Sequence, residues 1–136
     1  MIHSMKYPLT LLFTLTMLIS NGQDQRISTF EFVEILANNR EEAVYYFENN
    51  WKVLREMALE RDYLVSYDLL ETNYADDTPF HLVLQTTYAN QEQFAQREER
   101  FSLLISELGA LNLLNELKPA DFRASVFVIE SAVSLR

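Results

Sequence analysis

Residues 80–101, FHLVLQTTYANQEQFAQREERF, change hydrophobic period part-way along. Phe80, Leu82, Leu84 and Thr86 alternate with His81, Val83, Gln85 and Thr87, the period of a strand. After the polar break Tyr88-Ala89-Asn90, the spacing becomes helical, through Phe94, Arg97 or Glu98, Phe101, Leu104, Ile105 and Leu108. Asn90 is a suitable N-cap with Gln93 three residues on, and Gly109 is placed to stop the helix.

The same strand-then-helix pattern occurs upstream. Residues 29–36, TFEFVEIL, alternate, with Phe30, Phe32 and Leu36 on one side and Val33 and Ile35 on the other. Asn38-Asn39-Arg40 breaks that strand, and a long helix is expected to about residue 61. Its apolar stripe is Ala43, Tyr46 or Phe47, Asn50 or Trp51, Leu54, and Met57 or Ala58. Glu41, Glu42, Glu48, Lys52, Arg55, Glu56 and Glu60 fall mostly on the wet side. Residues 63–72, YLVSYDLLET, read as a second strand and residues 73–79 as a turn. Beyond Gly109, residues 111–117 suggest a short helical turn, closed by Lys118-Pro119, and residues 122–130 a last strand.

The order β-α-β-β-α-β predicts an α+β fold of ferredoxin-like type. Four antiparallel strands form one sheet with both helices on one face. Each strand, however, carries apolar or aromatic residues on both sides, which is unusual for a sheet with one wet face. The uncovered set needs a cover, and a second copy of the same sheet is the simplest one. The alternative is residues 111–117 with the C-terminal tail, folded across the sheet of a single chain.

Residues 1–23 have the pattern of an export signal. Lys6 precedes the apolar run LTLLFTLTMLI, and Ser20-Asn21-Gly22-Gln23 forms a small, polar exit. The run is about half the roughly 20 apolar residues needed to span a bilayer. Residues 24–136 then form a single domain, periplasmic or extracellular, with no membrane association after signal removal. The chain has no cysteine, which excludes disulfides, thiolate metal sites and a lipidated cysteine. Its formal charge of −9 becomes one unit more negative when Lys6 leaves, which disfavours nucleic acid and anionic membranes as partners.

Two segments resemble the dimeric α/β-barrel superfamily, in its antibiotic-biosynthesis-monooxygenase-like and stress-responsive branch. One is the long helix with Trp51 running into YLVSYDLLET. The other is the passage through Tyr88, Phe94, Arg97 and Phe101. At those four places such proteins often have tryptophan, phenylalanine, histidine and another aromatic. The similarity covers residues 30–129 and implies a homodimer that encloses a small apolar or aromatic ligand. Haem-degrading members use the histidine as an iron ligand. Arg97 stands there in this chain, and a guanidinium that stays protonated cannot ligate iron. No cofactor is therefore expected.

His81 is the only histidine beyond the signal region. Cofactor-independent oxygenases and isomerases of this superfamily suggest His81 as a general base, with Asp68 or Tyr67 on the neighbouring strand. Tyr67, Tyr88 or Arg97 would then orient an aromatic or polyketide-like substrate, and Trp51 is a further candidate ligand-binding residue. A metal at His81 would need Asp68 or Glu71 and is not expected. Tyr45, Tyr46, Tyr63, Tyr67, Tyr74 and Tyr88 read either as core or as the lining of a cleft. Asp76-Asp77 lacks a calcium-loop spacing and reads as a solvated turn. No phosphate loop, nucleophile elbow or dinucleotide fingerprint occurs. The two functional readings are a ligand-binding or self-associating module, and a cofactor-independent monooxygenase or isomerase. Mass spectrometry of the protein from its native host should find an N-terminus after residue 20. An intact Met1 in a cytosolic fraction would refute export.

Overall fold

The computed structural model describes residues 25–135. The expected export signal, residues 1–23, lies outside them. Strands β1 (Ile27–Ile35), β2 (Ser66–Glu71), β3 (Leu82–Tyr88) and β4 (Arg123–Val133) form one sheet in the order β2-β3-β1-β4, with every neighbouring pair antiparallel. That order is what two interleaved β-α-β units produce, and the fold is ferredoxin-like.

The first crossover is α1 (Arg40–Tyr46), a π-helical turn (Phe47–Trp51) and α2 (Lys52–Glu60) in one continuous path. Phe47, Asn50 and Trp51, spaced three and four residues apart, are all buried on the inner face of this path. Val33 and Ile35 of β1, Leu82 and Leu84 of β3 and Phe122 pack beneath Ala43, Phe47 and Trp51. The helix ends past Glu60, where Asp62 takes a left-handed φ of 58°. Tyr63 and Leu64 continue the core without strand pairing, so β2 starts three residues later than expected.

The second crossover is α3 (Gln91–Ala95) and α4 (Arg97–Leu108). Asn90 Oδ1 accepts from the Gln93 N–H at 2.9 Å, the expected N-cap. Gln93 also ties this corner to the end of α2, by donating to the Asp62 carbonyl at 2.7 Å. Gly109, with φ 78°, stops α4 as expected. Among the described residues no helix is long and apolar enough to cross a membrane.

Residues 111–117 are not helical, contrary to the sequence reading. Asn50, 3% exposed, donates to the Asn112 carbonyl and accepts from the Asn112 N–H, each at 2.8 Å. Asn115 Oδ1 accepts from the Leu117 N–H at 3.0 Å, a local bond that competes with a helix. Leu113 and Leu117 pack against the helix-side core, and the short α5 (Pro119–Phe122) leads into β4. This segment therefore does not fold across the open face of the sheet.

That open face carries Phe32, Phe80 and Phe127 in mutual contact, with ring centroids 4.2–5.9 Å apart. Ile129, paired with Phe30 on the same side, is exposed. Asn50→Ala removes both bonds to the Asn112 backbone and the one to the Tyr46 carbonyl. It should cost about 2–3 kcal/mol in urea unfolding with an unchanged m-value. A loss near zero would show that the loop holds without the clamp.

Candidate ligand-binding cleft

Helices α2 and α4 meet through the fully buried Ala58 and Leu104, above Tyr88 and Leu64. The β4 side of the sheet is left partly uncovered. Val128, opposite Glu31 on the helix-facing side, is 48% exposed. Between helices and sheet lies a cleft of about 350 Å³. Trp51, Leu54 and Arg55 form one wall, Arg97, Phe101 and Ile105 the other, and Glu31, Thr86, Tyr88 and Val128 the floor. A smaller hollow of about 200 Å³ adjoins it past Trp51 and Leu54 toward Arg123. Glu31 lines both and pairs with Arg123 at 3.1 Å.

Arg55 dominates the electrostatics. It stands one helical turn beyond Trp51, and its guanidinium carbon lies 4.5 Å from the Trp51 ring centroid and 4.3 Å from that of Phe101. Its Nε donates to Thr86 Oγ1 at 3.2 Å. Among the described residues this is its one hydrogen bond, and no carboxylate pairs with it. Removal from water brings its pKa down to about 10, against the opposing fields of Tyr88 and Glu31. The group stays cationic at neutral pH. The sequence reading placed Arg55 on the wet side, and here it is turned inward against two rings. The signal for it was the Trp51/Arg55 spacing of four, which places a cation over an indole on one helix face.

Three of the residues expected to bind ligand converge here. Trp51 and Tyr88 line the cleft, as does Arg97. Arg97 donates to the Phe94 carbonyl at 2.9 Å, lies over the Phe94 ring, and approaches Glu130 of β4 at 3.7 Å. Tyr88 is 2% exposed and packs edge-on to Phe94. Its hydroxyl makes no hydrogen bond with another described residue. Burial pushes its pKa up, only partly offset by Arg55 and Arg97. Tyr67 lies outside the lining, where its ring meets Trp51 edge-on and its hydroxyl donates to Glu56 at 3.1 Å.

His81 is elsewhere. Seven residues before Tyr88 along an extended path, it lies roughly 20 Å away. Its Nδ1 accepts from the Ile35 N–H at 2.9 Å and its ring stacks on Tyr74. That bond leaves the neutral ring's proton on Nε2, so no lone pair faces out. Glu71, a conceivable metal partner for it, is paired with Arg40 at 2.7 Å. Among the described residues, no three His, Cys, Asp or Glu side chains gather as a metal site.

No family model matches this chain, and no curated protein matches its sequence. Among solved structures, it is similar to the crystal structure of HapK from Hahella chejuensis, with a TM-score of 0.49 and 12% sequence identity. The match covers 80% of this chain and 92% of that one.

Because burial favours the neutral phenol of Tyr88, the tyrosinate absorbance difference between wild type and Tyr88→Phe should rise only above pH 10.0, the ordinary tyrosine value. The sign for stability follows. Its contribution is fully present below the unfolded-state pKa and falls as pH rises through the higher folded-state pKa. A difference midpoint at or below the ordinary value would mean that the guanidinia outweigh the loss of water.

Proposed function

We propose that this protein is an exported module that binds a small, largely apolar or aromatic ligand in the cleft and pairs with a second copy through the open face of its sheet. In this reading it belongs among the antibiotic-biosynthesis-monooxygenase-like and stress-responsive dimeric α/β barrels. The cleft carries the binding half. It combines aromatic and aliphatic walls with a few convergent polar groups, and its volume is at the lower end of the roughly 300–1,000 Å³ usual for small-molecule sites.

The pairing half is supported by the Phe32/Phe80/Phe127 group on the open face and by the path of residues 111–117. Those residues were the chain's own alternative cover, and they pack on the helix side. Two-fold pairing would bury the same phenylalanines on both copies at once. The second reading, a cofactor-independent monooxygenase or isomerase with His81 as base, lacks support from the geometry, since His81 is remote from the cleft and its Nδ1 is bonded to the backbone.

Native mass spectrometry of freshly purified protein tests both halves in one spectrum. The expected species has twice the mass of the mature chain and carries a small-molecule adduct. Phe127→Asp should return it to a monomer, by charging both copies of the interface. A monomer persisting at tens of micromolar would overturn the pairing. The absence of any adduct, together with no binder in a screen of small aromatic compounds, would overturn the binding.

A further inference from the structure

The charges around the cleft are unequally answered. Arg123 has Glu31, and Arg97 has the Phe94 carbonyl with Glu130 nearby. Arg55, set between the Trp51 and Phe101 rings, has a single hydroxyl. Among the described residues no fully buried side-chain nitrogen or oxygen lacks a partner. The Nη groups of Arg55, which bond nothing among the described residues, therefore open onto the cleft. We propose that the cleft takes a planar organic monoanion, an aromatic carboxylate, with its oxygens on the Arg55 fork and its ring among Leu54, Phe101 and Val128. The inference rests on the ligand-binding reading above and names the class of ligand.

Four features converge on that class. A guanidinium presents paired N–H donors in a flat fork that matches a carboxylate. The Tyr88 hydroxyl faces the same space and supplies a further donor to an anionic oxygen. The walls are aromatic and aliphatic, so a ring is buried at the same time as its charge is paired. The charge count sets an upper limit: Glu31, Glu98 and Glu130 line the cleft with Arg55 and Arg97, Glu31 is paired with Arg123 and Glu130 with Arg97 at 3.7 Å, and among the described residues Arg55 is the lining cation with no carboxylate of its own. A dianion such as a phosphate monoester would face Glu98, and its second charge would have to compete with Glu130 for Arg97.

The test is calorimetric titration of the purified protein at neutral pH with naphthoate, its uncharged isostere naphthamide, and naphthyl phosphate. Naphthoate should bind about tenfold or more tightly than the amide, the scale of one charge-assisted hydrogen bond. Naphthyl phosphate should bind more weakly than naphthoate. In Arg55→Met the preference for naphthoate over the amide should vanish while the amide still binds, which also shows that the variant is folded. Equal affinity for acid and amide in the wild type would overturn the inference without reference to any variant. So would tighter binding of the phosphate, or a preference that survives in Arg55→Met. If native mass spectrometry finds a retained neutral ligand and naphthoate does not bind, the anion inference fails and the binding reading stands. If nothing is retained and none of the three compounds binds, both fail.

Discussion

The seating of α2 against α4 governs the rest of the molecule. Ala58 is small enough to let Leu104 close on it, and both are fully buried over Leu64 and Tyr88. That contact holds the two helices together at one end of the sheet. The π-helical turn at Phe47–Trp51 holds the other end, where Phe47 and Trp51 pack on β1 and β3. With both ends fixed, the helix layer cannot also settle onto β4, and the gap is the cleft. Filling it from within the chain would need larger side chains than Val128 on β4 or a different path for α4.

The topology was legible because it is written in local periods. Alternation at Leu82, Leu84 and Thr86 gave way to helical spacing at Phe94 and Phe101, and Asn90 marked the boundary with a side chain that caps as expected. What the pattern missed depends on contacts distant in sequence. The π turn leaves no mark in the stripe, whose spacings of three and four suit an unbroken α-helix. The helix expected at residues 111–117 is undone by Asn50, which lies 62 residues upstream and claims the Asn112 backbone. Trp51, Tyr88 and Arg97 were singled out by the resemblance of their two segments to a known family, not by the periods themselves. Arg55 was missed because charge alone was taken to place it in water, although its spacing from Trp51 pointed the other way.

Arg55 also shows how geometry separates stability from function. A guanidinium over two rings gains about 0.5–2 kcal/mol from each such contact, and its bond to Thr86 contributes on a similar scale. Against this stands the loss of water, the largest influence on the group and the one that lowers its pKa. An aliphatic side chain packed against Trp51 and Phe101 would carry no such cost. A charge held in a cleft without a counter-charge is a weak device for stabilising a fold and a good one for orienting a ligand.

Strand β4 joins the two surfaces of the sheet. Successive residues of a strand point to opposite faces. Phe127 and Ile129 accordingly lie on the open side, and Val128 and Glu130 face the cleft. The strand lies at the sheet's edge, paired among the described residues with β1 alone, and both its faces are exposed over most of its length. A second copy seated on Phe127 and Ile129 would therefore do more than cover apolar area. It would restrain the backbone that sets Val128 and holds Glu130 near Arg97, and so fix the cleft's least supported wall. Ligand binding and pairing, if the protein has both, would not be independent, because each would act on the same edge strand.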